Sequence, residues 1–178
     1  DYNYEIISMG HRNPQGLYIN KQNNFILETE HGPKGGDEIN LIKLNQNEIP
    51  NYGWAIVSNG EHYGGRIEQN KLKYKKYPLF KSHSEKGFIE PLKSFVPSIG
   101  ISSITRIDDK FYVASSTKDK SIYFFNLDDE NRVVDFNRIE VFLYCPCPIS
   151  NARIPFFFIR VTDLYITFNF NQSSIFST

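Results

Sequence analysis

Four stretches in the second half of the chain alternate apolar and polar residues with a period of two. They are Ile101 to Ile107, Phe111 to Ser115, Ile122 to Leu127 and Val133 to Phe142. Side chains of a strand point alternately to opposite faces, so this period marks strands with one buried face. The joining segments are short and polar: Asp108-Asp109, Thr117 to Lys120, and Asp128 to Asn131. Consecutive strands joined this way form an antiparallel meander, which is also the form of one β-propeller blade. A free meander fits the same pattern. The apolar positions are filled by Ile, Val, 15 Phe and 11 Tyr, residues that suit a pleated surface better than a helix. The expected class is all-β.

Upstream, the same reading gives shorter strands: Tyr4 to Ser8, Leu17 to Ile19, Phe25 to Thr29 and Glu38 to Leu44. Between the last two lies the most polar stretch, Glu28 to Asn40 (ETEHGPKGGDEIN), with three glycines, one proline and four carboxylates. Glycines let backbone approach a ligand closely, and Glu28, Glu30, Asp37 and Glu38 supply hard oxygen ligands or fix basic partners. The pattern is strand, glycine-rich turn, strand, a place where binding chemistry is commonly held; a solvated hairpin without a ligand fits it too. Further loops are His11 to Gly16, Asn45 to Gly53, and Ser58 to Gly65 with His62 and Tyr63. Lys71 to Lys86 reads as a solvated loop whose lysine stems cover Tyr74, Tyr77 and Phe80.

The totals exclude several classes. Lys plus Arg and Asp plus Glu both number 20, so there is no basic face to carry nucleic-acid binding. No apolar run approaches the ~18–20 residues of a spanning helix. The N-terminus shows no start methionine and no signal sequence, and Asp1 opens what reads as an element already under way. Cys145 and Cys147 make no disulfide framework, and Cys145-Pro146-Cys147-Pro148 has too few ligands for zinc. From about Phe142 the pattern breaks down: residues 143–178 hold CPCP, FFF and ITFNFNQSSIF without a glycine.

Four blocks, in order, resemble the glucose/sorbosone dehydrogenase family, the soluble quinoprotein aldose dehydrogenases. They are GHRNPQGL (Gly10 to Leu17), EHGPKGGDEIN (Glu30 to Asn40), NYGW (Asn51 to Trp54) and TKDKSI (Thr117 to Ile122). The first two are long and specific, and FVPSIGISSI (Phe95 to Ile104) adds to them. The match runs roughly from Tyr4 to Phe142. The resemblance implies a six-bladed β-propeller, of which residues 1–142 would be about half, from the C-terminal part. It implies pyrroloquinoline quinone (PQQ) with Ca²⁺ as cofactors, and oxidation of aldoses at the anomeric carbon to lactones. An external electron acceptor would be the second partner, and the compartment would be the periplasm or the exterior.

Site roles carried by the resemblance are as follows. Arg12 would polarise the quinone carbonyl that accepts hydride, and so act catalytically as well as in binding. Asn13, Gln15, Tyr63 and Lys118 would be further PQQ-binding residues, with Lys118 paired to a cofactor carboxylate. Backbone carbonyls of Gly32 and Pro33 would reach a calcium that bridges to PQQ. Glu38 and Tyr52 would serve a separate structural calcium. Two departures limit the match. The family's histidine base lies upstream of the first block, and none of His11, His31, His62 and His83 matches it. The family's later R-x-R-D block has no counterpart beyond the displaced Arg160 to Asp163. The tail at 143–178 is what a shifted reading frame or a disordered extension would give, and the chain alone is expected to be inactive. A non-catalytic extracellular binding module and a decayed remnant are the other readings.

Overall fold

The computed structural model describes residues 4–63, 71–142, 157–161 and 164–168. Two antiparallel sheets make up the fold, as the all-β expectation requires. The first has strand order β1-β2-β3-β4, with β1 at Pro14–Asn20, β2 at Phe25–Glu30, β3 at Asp37–Lys43 and β4 at Lys93–Phe95. The second contains β5 (Ile101–Ile107), β6 (Phe111–Ser116), β7 (Ser121–Leu127) and β8 (Val133–Phe142), each paired with the next. Their bounds lie within a residue of those read from the period-2 pattern. The strands β9 (Phe157–Val161) and β10 (Leu164–Phe168) extend this sheet from the far edge of β8. Part of the 143–178 segment thus adds to the meander, while the CPCP run lies outside the described residues.

The alternation of β2 sets the architecture. Phe25, Leu27 and Thr29 face the second sheet, and Phe25 and Leu27 join Ile39, Phe95, Ile101, Ile104, Tyr112, Ala114, Tyr123 and Phe125 in one core shared by both sheets. The opposite face carries Ile26, Glu28 and Glu30. In register across from them on β3 stand Ile42, Asn40 and Glu38. Ile26 and Ile42 pack with Tyr52 in a smaller second cluster. One strand therefore divides the molecule into an apolar inter-sheet core and a face whose lower half is acidic.

The sheets meet closely. A Cβ on Gly16 of β1 would come within 2.9 Å or less of the backbone of Ser102, Ser103 and Ile104 in β5, so only glycine lets the two strands approach this far. Asp37, at the start of β3, spans the junction. Its Oδ2 accepts hydrogen bonds from the amides of Ile99 (3.0 Å), Gly100 (2.7 Å) and Ile101 (3.1 Å).

Two sequence expectations are corrected. Tyr4 to Ser8 is not a strand, because no described strand lies beside it to complete its hydrogen bonds; only Met9 forms an isolated bridge, to Asn51. The lysine-rich stretch is not all loop, since it contains a short helix α1 (Lys71–Lys76) and a 3-10 turn at Ser84–Lys86. No helix of the described residues is long and apolar enough to cross a membrane.

Candidate functional site

The acidic face of β2 and β3 is the chemically unusual part of the chain. Strand periodicity puts Glu28 and Glu30 side by side, and register sets Glu38 opposite Glu30 and Asn40 opposite Glu28. All four are buried. Burial of a charged carboxylate is strongly unfavourable unless a partner or a proton compensates it. Desolvation, reinforced by the charge of Glu30, pushes the Glu28 carboxyl up to about 8. Glu38 is pushed up to about 8 by the same two causes. Glu30 moves the other way. Burial pulls it upward, but His11 and the backbone amides of Arg12 and Asn13 outweigh that and hold it below its usual value. Glu30 is thus the charged member, flanked by two carboxyls that resist ionisation.

Glu30 also builds the loop beside it. Its Oε2 accepts the amide hydrogens of Arg12 (2.5 Å) and Asn13 (3.2 Å). Those bonds fix the polar turn before β1, so Arg12 is aimed rather than free. The Arg12 guanidinium donates to the His31 carbonyl at 2.9 Å and lies 5.3 Å from the ring centroid of Trp54, a cation–π distance. The Trp54 amide in turn donates to Gly10 O at 2.9 Å.

These groups line a cleft of about 10 Å³ with Gly32, Pro33, Glu38 and Tyr52 on its wall. That is room for about one water-sized particle. A Cβ at Gly32 would run into the Gly36 carbonyl 1.8 Å away, so the turn closes on the cleft only with glycine there. Tyr52 is buried, donates its hydroxyl to Leu41 O at 2.6 Å, and stacks on His11 with centroids 4.6 Å apart. Burial and the nearby Glu28 raise its phenol well above the usual tyrosine range, so it stays neutral. On the far side of Glu38, buried His83 sits with Nε2 3.8 Å from Glu38 Oε1 and Nδ1 3.3 Å from Glu90 Oε2. Glu90 is anchored by the Ser84 amide and hydroxyl at 2.8 and 2.9 Å.

Of the residues singled out in the sequence, the cleft gathers Arg12, Gly32, Pro33, Glu38 and Tyr52. Asn13 and Gln15 lie on the exposed rim, where the Gln15 amide donates to the Asn13 and Pro14 carbonyls at 3.2 and 3.1 Å. Tyr63 is also exposed, and Gly64 and Gly65 after it fall outside the described residues. Lys118 is exposed on the β6–β7 loop, its amide bonded to Ile99 O at 3.0 Å. Asp37, read as an oxygen ligand, instead spends Oδ2 on three backbone amides. Asn40 belongs to the stretch singled out in the sequence but was given no role there, and the approach of His83 and Glu90 to Glu38 was not read; these two come from a distant segment, and no local spacing marks them.

The donor set suits calcium. A hard cation asks for oxygen ligands, and here one ion-sized space is walled by Glu30, Glu38, backbone and tyrosine. Two cations suit a flat polyanion: Arg12, held rigidly at the cleft, and Lys118, exposed on the loop tied to Ile99.

The family model of glucose/sorbosone dehydrogenases matches residues 1–141. An uncharacterized protein of Synechocystis sp. is 31% identical over 144 residues, covering 77% of this chain and 32% of that protein. Aldose sugar dehydrogenase YliI of Escherichia coli is 46% identical over 61 residues, 34% of this chain and 15% of the relative. Quinoprotein glucose dehydrogenase B of Acinetobacter calcoaceticus is 47% identical over 53 residues, 30% of this chain and 10% of the relative. A crystal structure of glucose dehydrogenase superposes with a TM-score of 0.55 at 28% identity, covering 84% of this chain and 42% of that one. The chain therefore spans a third or less of the curated relatives it matches. The family match over 141 residues, with the two-sheet fold beside it, leads to one conclusion: this chain belongs to the glucose/sorbosone dehydrogenase family.

Proposed function

We propose that the chain carries the PQQ- and calcium-binding part of an aldose dehydrogenase that oxidises sugars at the anomeric carbon to lactones. The observation that carries this reading is the placement of Arg12. Its guanidinium is fixed by the His31 carbonyl and Trp54 at the mouth of a cleft walled by Gly32, Pro33, Glu38 and Tyr52.

PQQ supplies a quinone that accepts hydride from the sugar. Arg12, oriented by the His31 carbonyl and Trp54, would supply positive charge to a quinone oxygen of bound PQQ. Asn13, Gln15 and Tyr63 would help hold the cofactor, and Lys118 would pair with one of its carboxylates. Glu38 and Tyr52 would hold one calcium, and the Gly32 and Pro33 carbonyls would serve a second. Glu30 keeps Arg12 and Asn13 in register through their amides. The base that takes the hydroxyl proton and the sugar-contacting loops are assigned to the part of the relatives that this chain does not span. An external acceptor would take the electrons, and the compartment would be periplasmic or extracellular. The blades of these two sheets would belong to a six-bladed propeller of which this chain forms about half.

Titrating PQQ into the full chain with Ca²⁺ present, and following the quinone absorbance, tests the reading. Saturable binding supports it. Absence of binding by a chain shown to be folded by circular dichroism contradicts it and favours a recognition module.

A further inference from the structure

Beside the calcium cleft lies a second donor set of different chemistry. His11 Nδ1 stands 3.8 Å from Glu28 Oε2 and 3.6 Å from Glu30 Oε1. All three groups can offer ligand atoms that lie within 4.8 Å of one another. The side chains are 14%, 2% and 4% exposed, respectively. Ligands bonded at about 2.0–2.2 Å around a tetrahedral ion are separated by about 3.3–3.6 Å, close to the 3.6 and 3.8 Å from His11 Nδ1 to the two carboxylates.

The orphaned atoms point to a missing partner. His11 Nδ1 and Glu28 Oε1 are buried and have no hydrogen-bond partner. The gaps from His11 Nδ1 to the carboxylates are too long for hydrogen bonds. Buried polar groups are almost always satisfied, and the approaches of 3.6–3.8 Å leave space that an ion would bridge.

The surroundings are those of a prepared metal site. The His11 ring is held by Nε2 against Ser8 Oγ at 2.9 Å and by stacking on Tyr52. Occupation of Nε2 by a hydroxyl leaves Nδ1 as the nitrogen that faces the carboxylates. Asn40 Nδ2 donates to both Glu28 Oε2 and Glu30 Oε1 at 3.0 Å. Outer partners that orient the histidine and the carboxylates are characteristic of ligating side chains.

We propose that His11, Glu28 and Glu30 bind a divalent transition ion of the zinc or cobalt class, beside the calcium assigned to Glu38. The imidazole decides the class. Nitrogen suits these ions, whereas calcium prefers oxygen throughout. The site does not rest on quinone binding, and either assignment can fail without the other.

The test is a Co²⁺ titration of the full chain with Ca²⁺ held at saturation, read by visible d–d absorption. One equivalent is expected to bind with bands of a nitrogen- and oxygen-ligated ion. His11→Gln and Glu28→Gln are each expected to weaken binding about 100-fold or more, against about 10–100-fold for loss of an outer-shell partner alone. Glu38→Gln is expected to weaken Ca²⁺ binding far more than Co²⁺ binding, with some coupling because Glu30 stands opposite Glu38 and borders both sites. X-ray absorption at the cobalt edge of the unmodified chain needs no variant and should show one imidazole nitrogen. An oxygen-only shell, binding abolished by Glu38→Gln but kept by His11→Gln, or no binding by a folded chain would overturn the proposal and leave a buried His–Glu ion pair only.

Discussion

Asp37 Oδ2 accepts the Gly100 amide at 2.7 Å, and through it the glycine-rich stretch of the first sheet is joined to the loop that carries Lys118 in the second. Gly100 O accepts the Thr117 amide at 2.9 Å, and Ile99 O accepts that of Lys118 at 3.0 Å. One carboxylate thus couples two of the blocks in which the chain resembles the family.

Asp37→Ala removes the acceptor of three amides at once, those of Ile99, Gly100 and Ile101. A hydrogen bond to a charged group contributes about 1.5–3 kcal/mol, and orphaned buried donors are costly. We expect a loss of at least about 3 kcal/mol, measured by urea unfolding. A change under about 1 kcal/mol would mean that water replaces the carboxylate.

Gly16→Ala tests the approach of the sheets. The added methyl group would meet backbone atoms of β5 at 2.8–2.9 Å, and overpacking of this kind costs about 1–3 kcal/mol. Gly87→Ala is the control. Its φ is +78°, but nothing lies within 4 Å of the new Cβ, so only left-handed strain of about 1 kcal/mol applies. The account requires the larger loss at Gly16, read from denaturation midpoints.

The pH dependence follows from the acidic face. Glu28 and Glu38 titrate near 8 in the folded chain against an ordinary 4.5. Between those values the folded state holds protons that the unfolded chain has released. Stability from these two groups therefore falls as pH rises from about 4.5 to about 8, and levels off above. Thermal unfolding in a chelator should show this decline, and Glu28→Gln or Glu38→Gln should flatten it. Added Ca²⁺ at pH 8 should restore part of the stability, because the cation takes the place of the proton on Glu38. A wild-type Tm that climbs steadily from pH 5 to 8 in chelator, with the same climb in both variants, would contradict the assignment.

The strands of the second sheet were legible because each has one wet face: β7 alternates buried and half-buried residues along its length. In β2 every residue is buried, including Glu28, Thr29 and Glu30, so no wet face marks it, and the strand read to Thr29 stops one residue short of its end. Tyr4 to Ser8 shows the reverse: a strand-like composition without a neighbouring strand does not form one. The roles given to Arg12, Glu38 and Tyr52 came only through the resemblance of whole blocks, and the fold brings the three to one cleft. The clamp at Asp37 reaches amides 62–64 residues away, and His83 meets Glu38 across 45 positions of chain. Contacts of that range arise from the folding of one sheet onto another and leave no local mark.

The central claim is that Arg12 and the Glu38 cleft form one calcium-dependent quinone site. Trp54 is the sole tryptophan and lies beneath the Arg12 guanidinium, so its fluorescence reports on the site directly. The decisive measurement is a PQQ titration of the full chain followed by Trp54 emission, with Ca²⁺ and then with chelator. The account predicts saturable quenching with Ca²⁺, weakened at least about tenfold by Arg12→Ala, the loss of one charge-assisted contact. Chelation should weaken it as well, and so should Lys118→Ala. Quenching that is indifferent to calcium and to both substitutions, or absent from a folded chain, would contradict it.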